Sequence, residues 1–117
     1  EPSMSAIHDM LRVIQLAEFF GLKTMVMVNR HDINGALTRR IAEIAGEREI
    51  PFAGTVRFDE DFTKAQMYGK SITDFKGAAA EDVRLVWRSV SEKLEPEAKD
   101  RAGSKALNWR YDERSER

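Results

Sequence analysis

The chain has 117 residues, 42% of them hydrophobic and 33% charged, with 19 basic residues against 20 acidic ones and no cysteine. That length makes one domain at most, and the balanced charge lacks the basic excess of a nucleic-acid footprint, so nucleic acid is not an expected partner. Without cysteine the segment itself cannot supply a disulfide, a thiol nucleophile, thiolate-bound zinc or an iron–sulfur cluster; this fits a reducing cytosol, and the cytoplasm is the expected location. No apolar run approaches the ~20 residues of a transmembrane helix. The first residue is Glu, so the sequence reads as part of a longer frame.

From Ser3 or Ser5, either of which suits an N-cap, Ile7, Met10, Leu11, Ile14 and Ala17 recur at helical spacing, with Val13, Leu16 and Phe20 widening the stripe. Gly21 is the expected end of this helix. Thr24 to Val28 is an unbroken apolar run of the kind found in a parallel strand buried on both faces, and it ends at Asn29. Asn34-Gly35 opens a second helix with Leu37, Ile41, Ile44 and Ala45 on one side and Arg39, Arg40, Glu43 and Glu47 on the other. Ile50 to Val56 reads as a second strand, with Gly54 allowing a close backbone approach. Strand, helix and strand form one βαβ unit, whose right-handed crossover makes the strands parallel.

Asp59 is placed to cap a short third helix over 62–68, closed by Gly69, and an extended stretch follows through Ile72 and Phe75. The last helix carries Val83, Val86, Trp87, Val90 and Leu94 and is expected to stop at Pro96. Residues 96–117 read as a polar tail whose only large apolar residues are Leu107, Trp109 and Tyr111. The fold class is therefore α/β, a partial Rossmann-like three-layer arrangement of about two parallel strands with three to four helices. Such a sheet is incomplete. Its free edge and apolar helix stripes predict either another polypeptide segment alongside or self-association.

Ligands of open α/β sheets sit beyond the carboxyl ends of the strands, which here are Asn29-Arg30-His31-Asp32 and Arg57-Phe58-Asp59. Parallel strands bring both segments to one end of the sheet. The Asn29 amide offers a donor and an acceptor that match the edge of adenine, and Arg30 can cover a base face. Asn29 and Asp32 can also be turn residues leading into Asn34-Gly35, which from spacing alone is the commoner role. Spacing alone leaves both open.

Other motifs carry less. Gly69-Lys70-Ser71 imitates the end of a phosphate-binding P-loop, but Lys64 stands where the first glycine is needed, and a helix rather than a strand precedes the tripeptide. It is read as an ordinary helix-ending glycine. His8 and His31 are the only histidines and form no i, i+4 pair, so a metal site is not indicated. Met10, Met25, Met27, Met67 and Trp87 read as core.

Taken in order, Glu1-Pro2-Ser3, Ile7-His8-Asp9, Val28-Asn29-Arg30-His31-Asp32, Ile50-Pro51, Phe58-Asp59 and Ala65 through Gly69-Lys70 resemble the C-terminal half of MinD/ParA/Mrp-type P-loop ATPases. More narrowly, the string is similar to the nitrogenase iron protein-like subgroup with a ferredoxin insert. The resemblance covers about residues 1 to 94, within a domain taken as 1–95, and departs at Arg57 and Ser71, where the family commonly has Pro. It implies that Asn29 bonds adenine and that Arg57 to Asp59 border the base; Arg30 and Asp32, from the strand-end segment itself, complete the expected nucleotide-binding set. The implied cofactor is ATP or ADP; Mg²⁺ and iron–sulfur clusters would be held only by segments outside this sequence. The implied partner is the missing N-terminal half of the same protein, and the segment alone is not expected to hydrolyse ATP, because phosphoryl transfer depends on the charges of that half. A non-catalytic interaction or oligomerisation module is the alternative.

Overall fold

The computed structural model describes residues 1–100 of the chain. Helix α1 (Met4–Phe19) leads into strand β1 (Val26–Asn29), a 3-10 turn (His31–Ile33), α2 (Gly35–Glu47), β2 (Phe52–Val56) and α3 (Asp61–Met67). A second 3-10 turn (Ile72–Asp74) and α4 (Ala78–Asp100) follow. β1 and β2 pair in parallel as a two-stranded sheet, so the chain is α/β with four α-helices among the described residues.

Local chemistry accounts for the helix ends. Ser3 caps α1, its Oγ accepting from Ala6 N–H at 3.1 Å, and Asn34 caps α2, its Oδ1 accepting from Leu37 N–H at 3.0 Å. α3 closes at Gly69 in a Schellman motif. Gly69 N–H bonds Gln66 C=O at 3.1 Å and Lys70 N–H bonds Ala65 C=O at 2.9 Å, with Gly69 at φ +60°. That geometry spends the Gly69 and Lys70 amides on closing a helix, so they form no phosphate cradle. The capping expected of Asp59 is displaced by one position. Glu60 is the N-cap residue without a side-chain bond, while Asp59 Oδ1 accepts from Asp61 N–H at 2.8 Å.

The sheet carries helices on both sides. Ile7 and Ile14 of α1 and Ile41, Ile44 and Ala45 of α2 form one buried cluster with Val26 and Val28. Successive strand residues face opposite ways, so α1 and α2 share one face of the sheet. Met27 therefore points to the other face, where its register partner is Gly54. There α4 packs on β2, with Val86 Cγ2 3.1 Å from the point a Gly54 Cβ would occupy. The register passes from Val26↔Phe52 to Met27↔Gly54, an irregularity at which Gly54 adopts φ +132°.

Several sequence expectations are corrected by this packing. β1 is buried on one face only, because α4 lies over β2 and leaves Met27 43% exposed. Val13, Leu16 and Phe20 do not widen a buried stripe; α1 buries a narrow line through Ile7 and Ile14, and these three stay exposed. Met67 is likewise on the surface. α4 buries Ala79 and Ala80, half-buries Val83, Val86 and Val90, and sets Val86 against Gly54, whereas Trp87, one step around the helix from Val86, is 65% exposed. The stretch through Ile72 to Phe75 is a 3-10 turn with a Ser71–Asp74 capping box rather than extended chain. α4 does not stop at Pro96 but runs to Asp100, across the expected boundary between domain and tail. A proline inside a helix removes one hydrogen bond and crowds the carbonyl one turn back, which weakens or kinks a helix without always ending it. Leu107, Trp109 and Tyr111 lie outside the described residues.

Candidate functional site

Both strand-end segments emerge on the same side of the sheet, and one hydrogen bond joins them. Phe58 N–H donates to Asp32 Oδ1 at 2.8 Å. This bond is the main reason the Asp32 carboxyl is held below the usual aspartate range. Asp32 thus bridges to the segment that leaves β2. Replacing it with Ala is expected to speed amide exchange at Phe58 while exchange at Val28 and Val56 stays slow; unchanged exchange at Phe58 would show that the bridge does not hold the loop.

Asn29, the last residue of β1, turns its side chain back on the chain: Oδ1 accepts from Arg30 N–H at 2.9 Å. The acceptor oxygen of the amide is thus engaged by the chain itself, and Asn29 is exposed. Arg30 sits in the left-handed region at φ +53°, ψ +42°, an arrangement uncommon for a residue with a Cβ. From there its guanidinium lies 5.3 Å from the centre of the Phe58 ring, and its Nη1 is 3.4 Å from Glu1 Oε2. An Arg over an aromatic face makes a flat, cationic wall.

Arg57 has a different commitment. Its Nε and Nη2 bond Asp82 Oδ2 and Oδ1 at 2.6 and 2.9 Å, and its backbone N–H also reaches Asp82 Oδ2 at 3.1 Å. The carboxylate raises the arginine's affinity for its proton, and the guanidinium holds the Asp82 carboxyl below its ordinary value. The fork-on-fork pair ties the end of β2 to α4. Arg57 therefore shapes the loop through Asp82, with its charge already countered.

Asn29, Arg30, Arg57, Phe58 and Asp59 line one recess of about 220 Å³, closed on the far side by Phe62, Thr63 and Gln66 of α3. Asp32 lies just outside, holding the floor together through Phe58. The three α3 residues escaped the sequence reading. Phe62 and Gln66, four apart and so on one helix face, were the available signal, but nothing in the sequence says which way α3 turns after Asp59. Among the described residues no group of three His, Asp or Glu side chains is gathered as a metal site, and His8 is exposed. No described helix is long and apolar enough to cross a membrane.

Comparison of the chain with protein-family models, with curated proteins and with solved structures finds no match.

Proposed function

We propose that this chain is the adenine-side half of a MinD-like ATP-binding domain, with the purine base seated in the recess between the ends of β1 and β2. The observation that carries this reading is the convergence, at the carboxyl ends of two parallel strands, of an amide edge at Asn29 with a cation–aromatic wall at Arg30 and Phe58. The left-handed Arg30 adds support, since residues held in sparsely populated backbone regions cluster at ligand sites. Size supports it as well. Sites for drug-sized ligands run to about 300–1,000 Å³, whereas 220 Å³ suits one base and leaves a triphosphate outside.

In this reading the described residues bind and orient the base, and the phosphates extend toward the upstream half of the domain, where any hydrolysis takes place. The chain is then a nucleotide-recognition segment without catalytic groups of its own. ATP or ADP is the ligand, the missing half is the partner, and the parent's link to iron–sulfur or electron-transfer chemistry rests on the motif resemblance alone.

The test uses a protein carrying both halves. Asn29→Ala is expected to weaken ATP about tenfold, the worth of one or two hydrogen bonds, while leaving pyrophosphate binding unchanged. Equal loss for both ligands would show that Asn29 does not read the base.

A second reading, a non-catalytic module that pairs with a copy of itself, is favoured by the exposed Val13, Leu16, Phe19 and Phe20 of the α1 end. Light scattering on the purified chain separates the two readings here: a monomer at high concentration would remove the support for self-pairing.

A further inference from the structure

We infer that residues 107–111 of this chain fold back as a strap over an apolar groove at the amino ends of β1 and β2, at the opposite end of the sheet from the nucleotide recess. Three observations converge on that groove, and none depends on the nucleotide reading.

The first is the groove itself. It holds about 420 Å³, against about 220 Å³ for the nucleotide recess, and its apolar lining is Met25, just before β1, Ile50 and Pro51, just before β2, and Leu22 and Leu94. Leu22 is 62% exposed and Leu94 46%, so the described residues leave apolar surface there open to water. Glu18 and Arg48, two of the charged residues at its rim, already pair at 3.5 Å. A groove of this kind suits apolar side chains more than an ion.

The second is the path of the chain. α4 begins beside the carboxyl end of β2, where Asp82 holds Arg57, and reaches the groove at Leu94, so the helix runs against the strands and passes their amino ends. It continues from Leu94 to Asp100, about 9 Å farther. Residues 101–106 reach up to about 20 Å when extended, enough to retrace that distance. Gly103-Ser104 among them is a turn-forming pair. Leu107 is therefore the first large apolar residue able to come back to Leu94.

The third is the pattern of the segment. Leu107, Trp109 and Tyr111 alternate with Asn108 and Arg110, a period of two that in an extended chain sets the three apolar side chains on one face and the polar pair on the other. Trp and Tyr pair an apolar body with a polar tip, as a groove open to water on one side requires. Tethering selects this segment over a second copy of the chain. A group joined through a short linker acts at millimolar effective concentration, which a partner in dilute solution does not match.

Tryptophan fluorescence tests this without nucleotide. Trp87 is exposed and outside the groove lining, so Trp87→Phe leaves Trp109 as the sole reporter. Its emission is expected at shorter wavelength than that of a peptide of residues 101–117, with acrylamide quenching reduced several-fold. Leu22→Glu combined with Leu94→Glu, at two exposed positions, is expected to return both readings to those of the peptide while circular dichroism keeps the same helix signal. In the otherwise unaltered chain Trp109→Ala is expected to shift the methyl resonances of Leu22 and Leu94, which lose a neighbouring ring; this measurement needs no variant in the groove itself. Peptide-like emission from the Trp87→Phe chain would overturn the inference, as would methyl resonances that stay in place. So would a short-wavelength emission that survives both glutamates, because the segment would then dock elsewhere, or one that reddens on dilution, because a second copy would then fill the groove. Loss of ATP binding in Asn29→Ala leaves these results untouched, so the two proposals fail separately.

Discussion

Gly54→Val is expected to lower the stability of the chain by roughly 2–5 kcal/mol, combining a strained backbone with an overfilled contact. Gly54 holds φ +132°, a region that side chains with a Cβ rarely adopt, and α4 approaches so closely that Val86 Cγ2 is 3.1 Å from the missing Cβ. The two penalties reinforce each other. Val86 must give by a few tenths of an ångström where α4 packs on β2. Gly54→Ala carries the backbone strain with a smaller clash and is expected to fall between wild type and Val. Thermal unfolding followed by circular dichroism checks the order. If both variants melt with the wild type, the close approach of α4 is not a determinant of the fold.

Asp82→Ala is expected to cost about 1–3 kcal/mol and to loosen the recess from a distance. The Asp82 side chain is only 13% exposed, and it satisfies three donors of Arg57, one of them the backbone N–H that starts the loop after β2. The figure stays below the 3–5 kcal/mol of a fully buried pair because Arg57 is partly solvated. The pH dependence has a definite sign. A carboxyl whose folded value lies below its unfolded one contributes its stability fully above about pH 4 and loses it as pH falls through the lowered folded value. Asp32, lowered by Phe58 N–H, acts in the same direction. Acid unfolding of the wild type should therefore steepen below pH 4, and Asp82→Asn should flatten that slope while changing stability near neutrality less than Ala does. A variant with the wild-type acid slope would mean the Arg57 pair is equally formed in the unfolded chain.

Gly54 sets how near α4 comes, Asp82 on α4 fixes Arg57, and Arg57 leads the loop that carries Phe58 to the recess. A substitution at Asp82 is thus expected to disturb ligand binding through position, whereas Asn29→Ala removes a contact. Those two effects differ in the test with pyrophosphate described above only if the phosphates lie outside the recess.

Much of the framework was legible in the sequence because it rests on local physics. The capping side chains Ser3 and Asn34, the 3.6-residue rhythm of Ile7 and Ile14 or Ile41 and Ile44, and the two apolar runs separated by one helix specify α1, α2 and a parallel β1–β2 pair without reference to anything distant. The same connectivity brings Asn29, Arg30, Arg57, Phe58 and Asp59 to one end of the sheet, since parallel strands share their carboxyl ends. What the sequence could not specify is which apolar residues are covered and which polar ones are spoken for. Trp87 and Met27 have the composition of core residues, yet their exposure depends on the azimuth of α4 and on how far one helix extends over two strands. Arg57, expected to border the base, has its guanidinium held by Asp82, 25 positions away, which no local pattern in the sequence signals. Asp32 looks like a turn residue until its bond crosses to Phe58. Periodicity and caps are encoded within a turn or two of chain, whereas burial and charge pairing are decided between segments, and only the folded arrangement brings those segments into contact.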